Sequence, residues 1–504
     1  MAIRITGLNS GLDTESIITE LVSAKKVSVD NLKKERTKLS WKVDAWKELN
    51  TKIFSLYRNT VDKLRFDNAY VKKKSTVSDS GLLTVVSGEK SVNGVQTASV
   101  ESLAKAGYLT GGKLKTADGG KVTGDTKVTD LGIAAGTSFT ITSGGKDTEI
   151  TIGDDTTMSG LVSQLSAAGV NANFDETQQR LFISAKETGK ANDFSFSGDD
   201  SALKTLGLVE DPGNPDGAVK IDGSDAVLYL NGAKFESDTN TFQINGTTYT
   251  VNAVSDKNAD GTLKETSITT TDDYDGIYDT IRNFFTEYNK LVNEMDKLYN
   301  AESSKGYEPL TSEEKEALSE SEVEDWENKI KGSLLRRDSS LSSVISAMTT
   351  TMMGSVTVNG KEMYLSSFGI STLGYFNSEE NERHAYHIDG DPNDSAVSGN
   401  TDVLKSMIAS DPETVKSFFT QLSNNLYNSM TTTMERVQDF KSMYKVYNDQ
   451  QLDKELSDYE TKISEAEEAL TAYEDKWYEK FSAMETALAK LSSKQNAISG
   501  LFTS

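Results

Sequence analysis

Two histidines, His384 and His387, are the only imidazoles in a chain of 504 residues that has no cysteine. Three positions apart, they could share a metal ion from one side of a helix. The segment Glu382-Arg383-His384-Ala385-Tyr386-His387 reads instead as strand or loop, and no HExxH spelling occurs. A Ser-His-Asp site would have to use one of these two residues, and no nucleophile-elbow spelling supports it. Two stretches resemble calcium loops. Asp256-Lys257-Asn258-Ala259-Asp260-Gly261 has the glycine, but its twelfth position is Ser267, where a bidentate glutamate is needed. Asp389-Gly390-Asp391-Pro392-Asn393-Asp394 lacks the glycine and ends at Asn400. Both read as turns. No glycine loop that could cradle a phosphate is present. The expectation is therefore no enzyme, no catalytic residue, no metal and no cofactor. What the chain offers instead is apolar rows that need partners.

Those rows lie at both ends. From Leu456 an apolar residue recurs every seven positions: Leu456, Ile463, Leu470, Trp477, Met484, Leu491 and Ile498. Tyr459, Ala466, Tyr473, Phe481, Leu488 and Phe502 fill the gaps. This spacing predicts one seam helix roughly 70 Å long, at 1.5 Å per residue. Near the other end, Asp13 or Thr14 can cap a helix that presents Ile17, Ile18, Leu21 and Val22. A second stretch carries Leu39, Val43, Trp46, Leu49, Ile53, Leu56, Val61 and Leu64, mostly three and four apart. Burying one Leu or Ile contributes on the order of 1.5–3 kcal/mol, so each row holds only if another helix covers it.

Composition limits the alternatives. A net charge of −24 argues against nucleic acid and against an anionic membrane surface. No run of eighteen apolar residues exists, so no membrane insertion is expected. The start of the chain lacks a charged segment followed by an apolar one, so no conventional signal peptide is expected. Up to Thr76 there are 16 Lys and Arg against 9 Asp and Glu, leaving the remainder strongly acidic. Lys33, Lys34, Arg36, Lys38, Lys42, Lys47 and Lys52 sit among the seam positions. They read as a solvated face that meets an acidic helix.

Between the ends the period changes. Short alternating runs separated by Gly, Asp, Ser and Thr extend from Leu82 to Phe196 and again from Val227 to Ile268. Asn231-Gly232 and Asn245-Gly246 are hairpin signals. The loop Glu210–Asp222 reads as a crossing between two small domains. Helical period returns with Ile277, Ile281, Phe284, Tyr288, Leu291, Met295 and Leu298. Thr311–Glu314 and Ser319–Glu322 spell capping boxes. From Val403 to the end the chain reads as helical.

The predicted fold class is α+β: an elongated, terminal-helix coiled-coil stalk with two inserted β-rich head domains. The expected parts are terminal leg helices, 1–40 and 465–504, disordered until assembly; a helical stalk, 41–76 and 272–464; a first β head, 77–106 and 221–271; and a second, 107–220.

Several segments, in order, resemble one family. Gly7-Leu8-Asn9-Ser10-Gly11-Leu12-Asp13-Thr14-Glu15-Ser16-Ile17-Ile18 is similar to the N-terminus of the bacterial flagellar filament cap family, also called hook-associated protein two. Leu39–Lys52, Glu308–Lys315, Trp326–Lys329, Leu334–Asp338 and Tyr478–Glu485 resemble further parts of it, and Phe139–Ser184 resembles a β module of flagellar axial proteins. The resemblance implies a homo-oligomeric ring at the distal tip of the filament, outside the cell, reached through the flagellar type III export apparatus. It implies as partners flagellin, the hook–filament junction proteins and an export chaperone. It implies a cap that helps flagellin fold and insert and prevents its leakage, with contact to host mucus in some members. The alternatives are another axial protein, either a junction protein or a flagellin, and a glycan-binding surface adhesin.

Overall fold

No glycine or proline stands between Leu12 and Ser80, and the N-terminal helix makes full use of this. The computed structural model describes residues 11–502, with side chains through Ile498. In it α1 is a single helix, Thr14–Ser55. The two stretches expected from the sequence are thus one. Polar residues 23–38 lack an apolar row but contain no breaker, and Val29 within them is buried. Asp13 caps the start, accepting from the Ser16 amide at 3.0 Å, and Glu15 sits in the favourable first turn. A π-helical turn, Leu56–Val61, then turns Leu56, Tyr57 and Val61 all into the core, before a last helical turn, α2, Asp62–Leu64.

The chain divides into two compact units, Val71–Gly276 and Met1–Tyr70 with Ile277–Ser504. The first is β-rich, with every strand pairing antiparallel. One sheet has the order β1 (Lys73–Val77), β15 (Thr266–Asp272), β3 (Gly94–Ser102), β11 (Ala226–Leu230), β12 (Ala233–Ser237). Another has β13 (Thr241–Ile244), β14 (Thr247–Val251), β2 (Leu83–Ser87). They share a core of Leu83, Val100, Leu228, Tyr249 and Ile268. A four-stranded sheet, β10 (Val219–Ile221), β4 (Tyr108–Thr110), β8 (Arg180–Ala185), β7 (Val170–Asp175), shares a second core with β6 (Lys146–Thr151), β5 (Ser138–Ser143), β9 (Phe194–Gly198). Helices α3 (Met158–Ala167) and α4 (Asp200–Thr205) complete it. The loop expected at Glu210–Asp222 therefore contains a strand, β10, and the Arg180 guanidinium donates to its Gly217 carbonyl at 3.0 Å.

Hairpin chemistry follows the dipeptides. Asn231 and Gly232 have φ of 51° and 80°, and Asn245 and Gly246 have 49° and 76°, each joining strands across two residues. Positive φ at both positions is the type I′ turn that Asn-Gly favours. Asn359-Gly360 does the same between β16 (Val356–Val358) and β17 (Lys361–Met363).

The other unit is mostly helical. Its α5, Tyr274–Tyr299, buries Ile277, Ile281, Phe284, Tyr288, Leu291 and Met295, the row the spacing predicts. Both capping boxes form, opening α6 (Ser312–Glu316) and α7 (Glu320–Gly332). Next come α8 (Ser339–Met353) and the two-residue strands β18 (Ile370–Ser371) and β19 (His387–Ile388). The helix expected from Val403 onward is broken twice. Pro412 opens α10 (Pro412–Thr433) one residue after α9 (Val403–Ser410) and its connecting Asp411 cap. A loop over 434–448, with Asp439 and Tyr444 at φ of 63° and 64°, precedes α11, Asp449–Phe502. The stretches expected as separate legs and stalk are continuous within α1 and within α11, since neither helix contains a glycine or proline up to Ile498.

Candidate assembly seam

Helices α1 and α11 pack antiparallel, and side-chain pairs fix their register. Lys25 lies over the Tyr473 ring at 5.3 Å, Lys33 pairs with Glu467 at 2.6 Å, and Arg36 pairs with Glu460 at 2.9 Å. Of the basic residues of α1, Lys33 and Arg36 meet acidic partners on α11, Lys34 on α6 and Lys52 on α5. Toward the 434–448 loop the row closes into core. Trp46 stacks on Tyr447 with ring centroids 5.2 Å apart. Asn50 accepts from the Val446 amide at 2.9 Å and donates to the Tyr444 carbonyl at 3.3 Å. Val43, Trp46, Leu49, Ile53 and Leu56 are buried, and Leu39 is half-buried.

Further toward the N-terminus, the covered face differs from the one that apolar spacing alone predicts. Ile17 is exposed and Leu21 half-buried, whereas Thr14, Ile18 and Val29 are buried. The continuous row runs Thr14, Ile18, Leu21, Lys25, Val29, Leu32, Arg36, Leu39, Val43, Trp46 in threes and fours. Lys25 and Arg36 interrupt its apolar pattern, which is why hydropathy alone misses it. Their stems and charges are used across the seam, on Tyr473 and Glu460.

On α11, Leu456, Ile463, Leu470, Trp477 and Met484 are half-buried. Tyr473 meets Trp477 edge-on at 6.2 Å and Trp477 meets Phe481 tilted at 6.1 Å, with Lys480 over the Trp477 ring at 4.4 Å. Past Glu485, which is buried, cover by the described residues falls away. The register of the charge pairs brings Thr14, the first residue of α1, opposite about Met484. Leu488, Leu491 and Ile498 accordingly reach 37%, 66% and 56% exposure. Phe502, also expected in this row, lies outside the residues whose side chains are described. An apolar heptad row thus continues along α11 past the first turn of α1.

The residues considered for chemistry are held otherwise. His384 Nδ1 bonds the buried Asp296 carboxylate of α5 at 2.7 Å, and His387 Nδ1 bonds Asp394 at 2.6 Å. Asn258 and Thr262 close the loop around Asp260-Gly261 as a turn. Among the described residues no group of three or more His, Asp or Glu could hold a metal ion. Asp296 raises the His384 pKa above its usual value, chiefly through the hydrogen bond, against desolvation by burial. A raised folded-state pKa makes this contribution complete below about pH 6.5, the unfolded value, and lost as pH rises through the folded value. Replacing His384 by Gln should therefore lower stability more at pH 6 than at pH 9. Urea unfolding of both proteins at the two pH values checks this, and equal losses at both would refute it.

Comparison with known proteins adds the family. The model described as "Flagellar hook-associated protein 2 C-terminus" matches residues 223–493, more than half of the chain, and "Flagellar hook-associated protein 2 N-terminus" matches 10–107. Residues 108–222, which hold the whole second β core, are matched by neither. A flagellar hook-associated protein 2 of Halalkalibacterium halodurans is 24% identical over 99% of both chains. An A-type flagellar hook-associated protein 2 of Pseudomonas aeruginosa is 26% identical over 57% of this chain and 62% of its own. The crystal structure of the D1-D2-D3 domains of the flagellar cap protein FliD from Escherichia coli superposes with a TM-score of 0.47 at 19% identity, covering 78% of this chain and 97% of that one. The chain belongs to the flagellar hook-associated protein 2 family, the proteins that cap the tip of the bacterial flagellar filament.

Proposed function

We propose that this cap works through the distal part of α11, whose exposed Leu488, Leu491 and Ile498 form an apolar face completed by flagellin at the growing tip. The observation that carries this reading is the heptad row that outruns α1. An isolated helical stripe of this kind is poorly stable in water and gains from a second helix laid along it. We take the part of the chain that orders on assembly as narrower than 1–40 and 465–504: α1 from Thr14 onward lies along α11 as far as about Met484, the part left for a partner begins near Leu488, and residues 1–10 lie outside the described residues. Several copies form a ring, so that each incoming flagellin meets such a face while it folds, and flagellin does not leak away. Delivery is through the flagellar type III apparatus with an export chaperone, to an extracellular tip above the hook–filament junction proteins. Family membership removes the junction protein and flagellin as alternatives.

Expression in a flagellated cell that lacks its own cap protein, with the matching flagellin, tests the reading. Filaments should return and secreted flagellin monomer should fall. Abundant secreted chain with no filaments would count against a cap role and in favour of the adhesin.

A further inference from the structure

The short helix α6 buries none of its own side chains, yet it is held rigidly. Its capping box fixes the first turn, with the Glu314 carboxylate accepting from the Thr311 amide at 2.7 Å. Lys315 at its end pairs with the largely buried Glu327 of α7 at 2.6 Å, and Lys331 holds the same carboxylate at 3.1 Å. The approach to α6 is pinned as well: Trp326 Nε1 donates to the Glu308 carbonyl at 2.9 Å, and its ring packs on Tyr307. Lys331 also lies over the Trp41 ring of α1 at 4.7 Å, so this scaffold is tied to α1.

From that scaffold two adjacent carboxylates reach α1. Glu313 pairs with Lys26 at 2.7 Å and Glu314 with Lys34 at 2.8 Å. The two lysines are eight residues apart, about 12 Å along the helix, and converge on α6 from either side. Lys34 keeps only 16% of its side-chain surface. Over this stretch α1 buries little: from Thr14 to Lys38 only Thr14, Ile18 and Val29 are buried. Charge therefore has an unusual share in holding this part of α1.

We propose that α6 is a charge latch, which holds the N-terminal half of α1 in the free chain and releases it when salt or an acidic partner helix takes Lys26 and Lys34. Lys26 holds the Glu313 carboxylate down at about 2, chiefly through their hydrogen bond, so the pair persists throughout neutral and mildly acidic pH. Its weakness is ionic strength, because exposed pairs are screened within about 8 Å at physiological salt.

Amide exchange of the full-length chain tests the latch. At low salt, K26E/K34E should speed exchange of residues 14–36 about fivefold, the scale of two exposed or half-buried pairs, and leave residues 277–295 of α5 unchanged. K26E alone should speed it about twofold, adding E313K, which leaves the Glu314 capping box intact, should restore the wild-type rate, and 1 M NaCl should bring wild type and K26E/K34E together. Unchanged exchange in K26E/K34E, or no rescue of K26E by E313K, would overturn the proposal. Loss of protection in α5 would assign these pairs to general stability instead.

Discussion

Serine at Leu488, Leu491 and Ile498 together should abolish capping while leaving the protein folded. Leu491 and Ile498 already face water and Leu488 does so in part, so their replacement costs the folded chain little. At a completed interface each would contribute on the order of 1.5–3 kcal/mol of apolar burial. Losing all three is about 4–9 kcal/mol, or at least a thousandfold in the docking equilibrium. Cells carrying the triple variant as their only cap should be non-motile in soft agar, with flagellin monomer in the medium. The purified variant should keep the wild-type urea midpoint. A L488M/L491M/I498L variant, which keeps the apolar face, should swim. Normal swimming by the serine variant would remove the distal α11 face from the mechanism.

The second large effect concerns the core that carries the seam. Trp46 is 1% exposed and stacks on Tyr447 at an interplanar angle of 8°. It joins α1 to the 434–448 loop that starts α11, beside the paired Asn50. Trp46→Ala should cost about 3–5 kcal/mol, through lost transfer energy and the cavity left behind. Against a typical domain stability of about 5–15 kcal/mol, that is a large fraction. Urea unfolding followed by far-UV circular dichroism should show a clearly lower midpoint for the helical unit. Trp46→Phe should lie between the two proteins. A midpoint within experimental scatter of wild type would mean that the α1–α11 junction is not where this unit derives its stability.

The two effects separate cleanly because they act at opposite ends of one seam. Near Trp46 the apolar row is closed by the chain itself. Near Ile498 the described residues leave it open.

Much of this was written in local pattern. The α5 row, both capping boxes, the Asn-Gly hairpins and the heptads of α11 depend on neighbours within about four residues or on one dipeptide, so spacing reveals them. The opposite charges of α1 and the later helices were also legible. Local pattern failed where a long-range contact replaced an apolar side chain. Lys25 and Arg36 sit within the seam because Tyr473 and Glu460 lie opposite them, and nothing near them in sequence says so. Ile17 and Ile18 are equally apolar, and only the position of α11 decides that Ile18 is the one buried. The turn that ends α10 depends on Tyr444 donating its amide to the Met434 carbonyl across ten residues.

The sequence by itself determined that both ends are long helices with apolar rows, because helical period is a property of the chain and no breaker interrupts it. Only the tertiary structure decided how far those rows cover each other, because register is set by particular pairs across the seam. That register leaves Leu488, Leu491 and Ile498 beyond the end of α1, in water, where a partner can reach them.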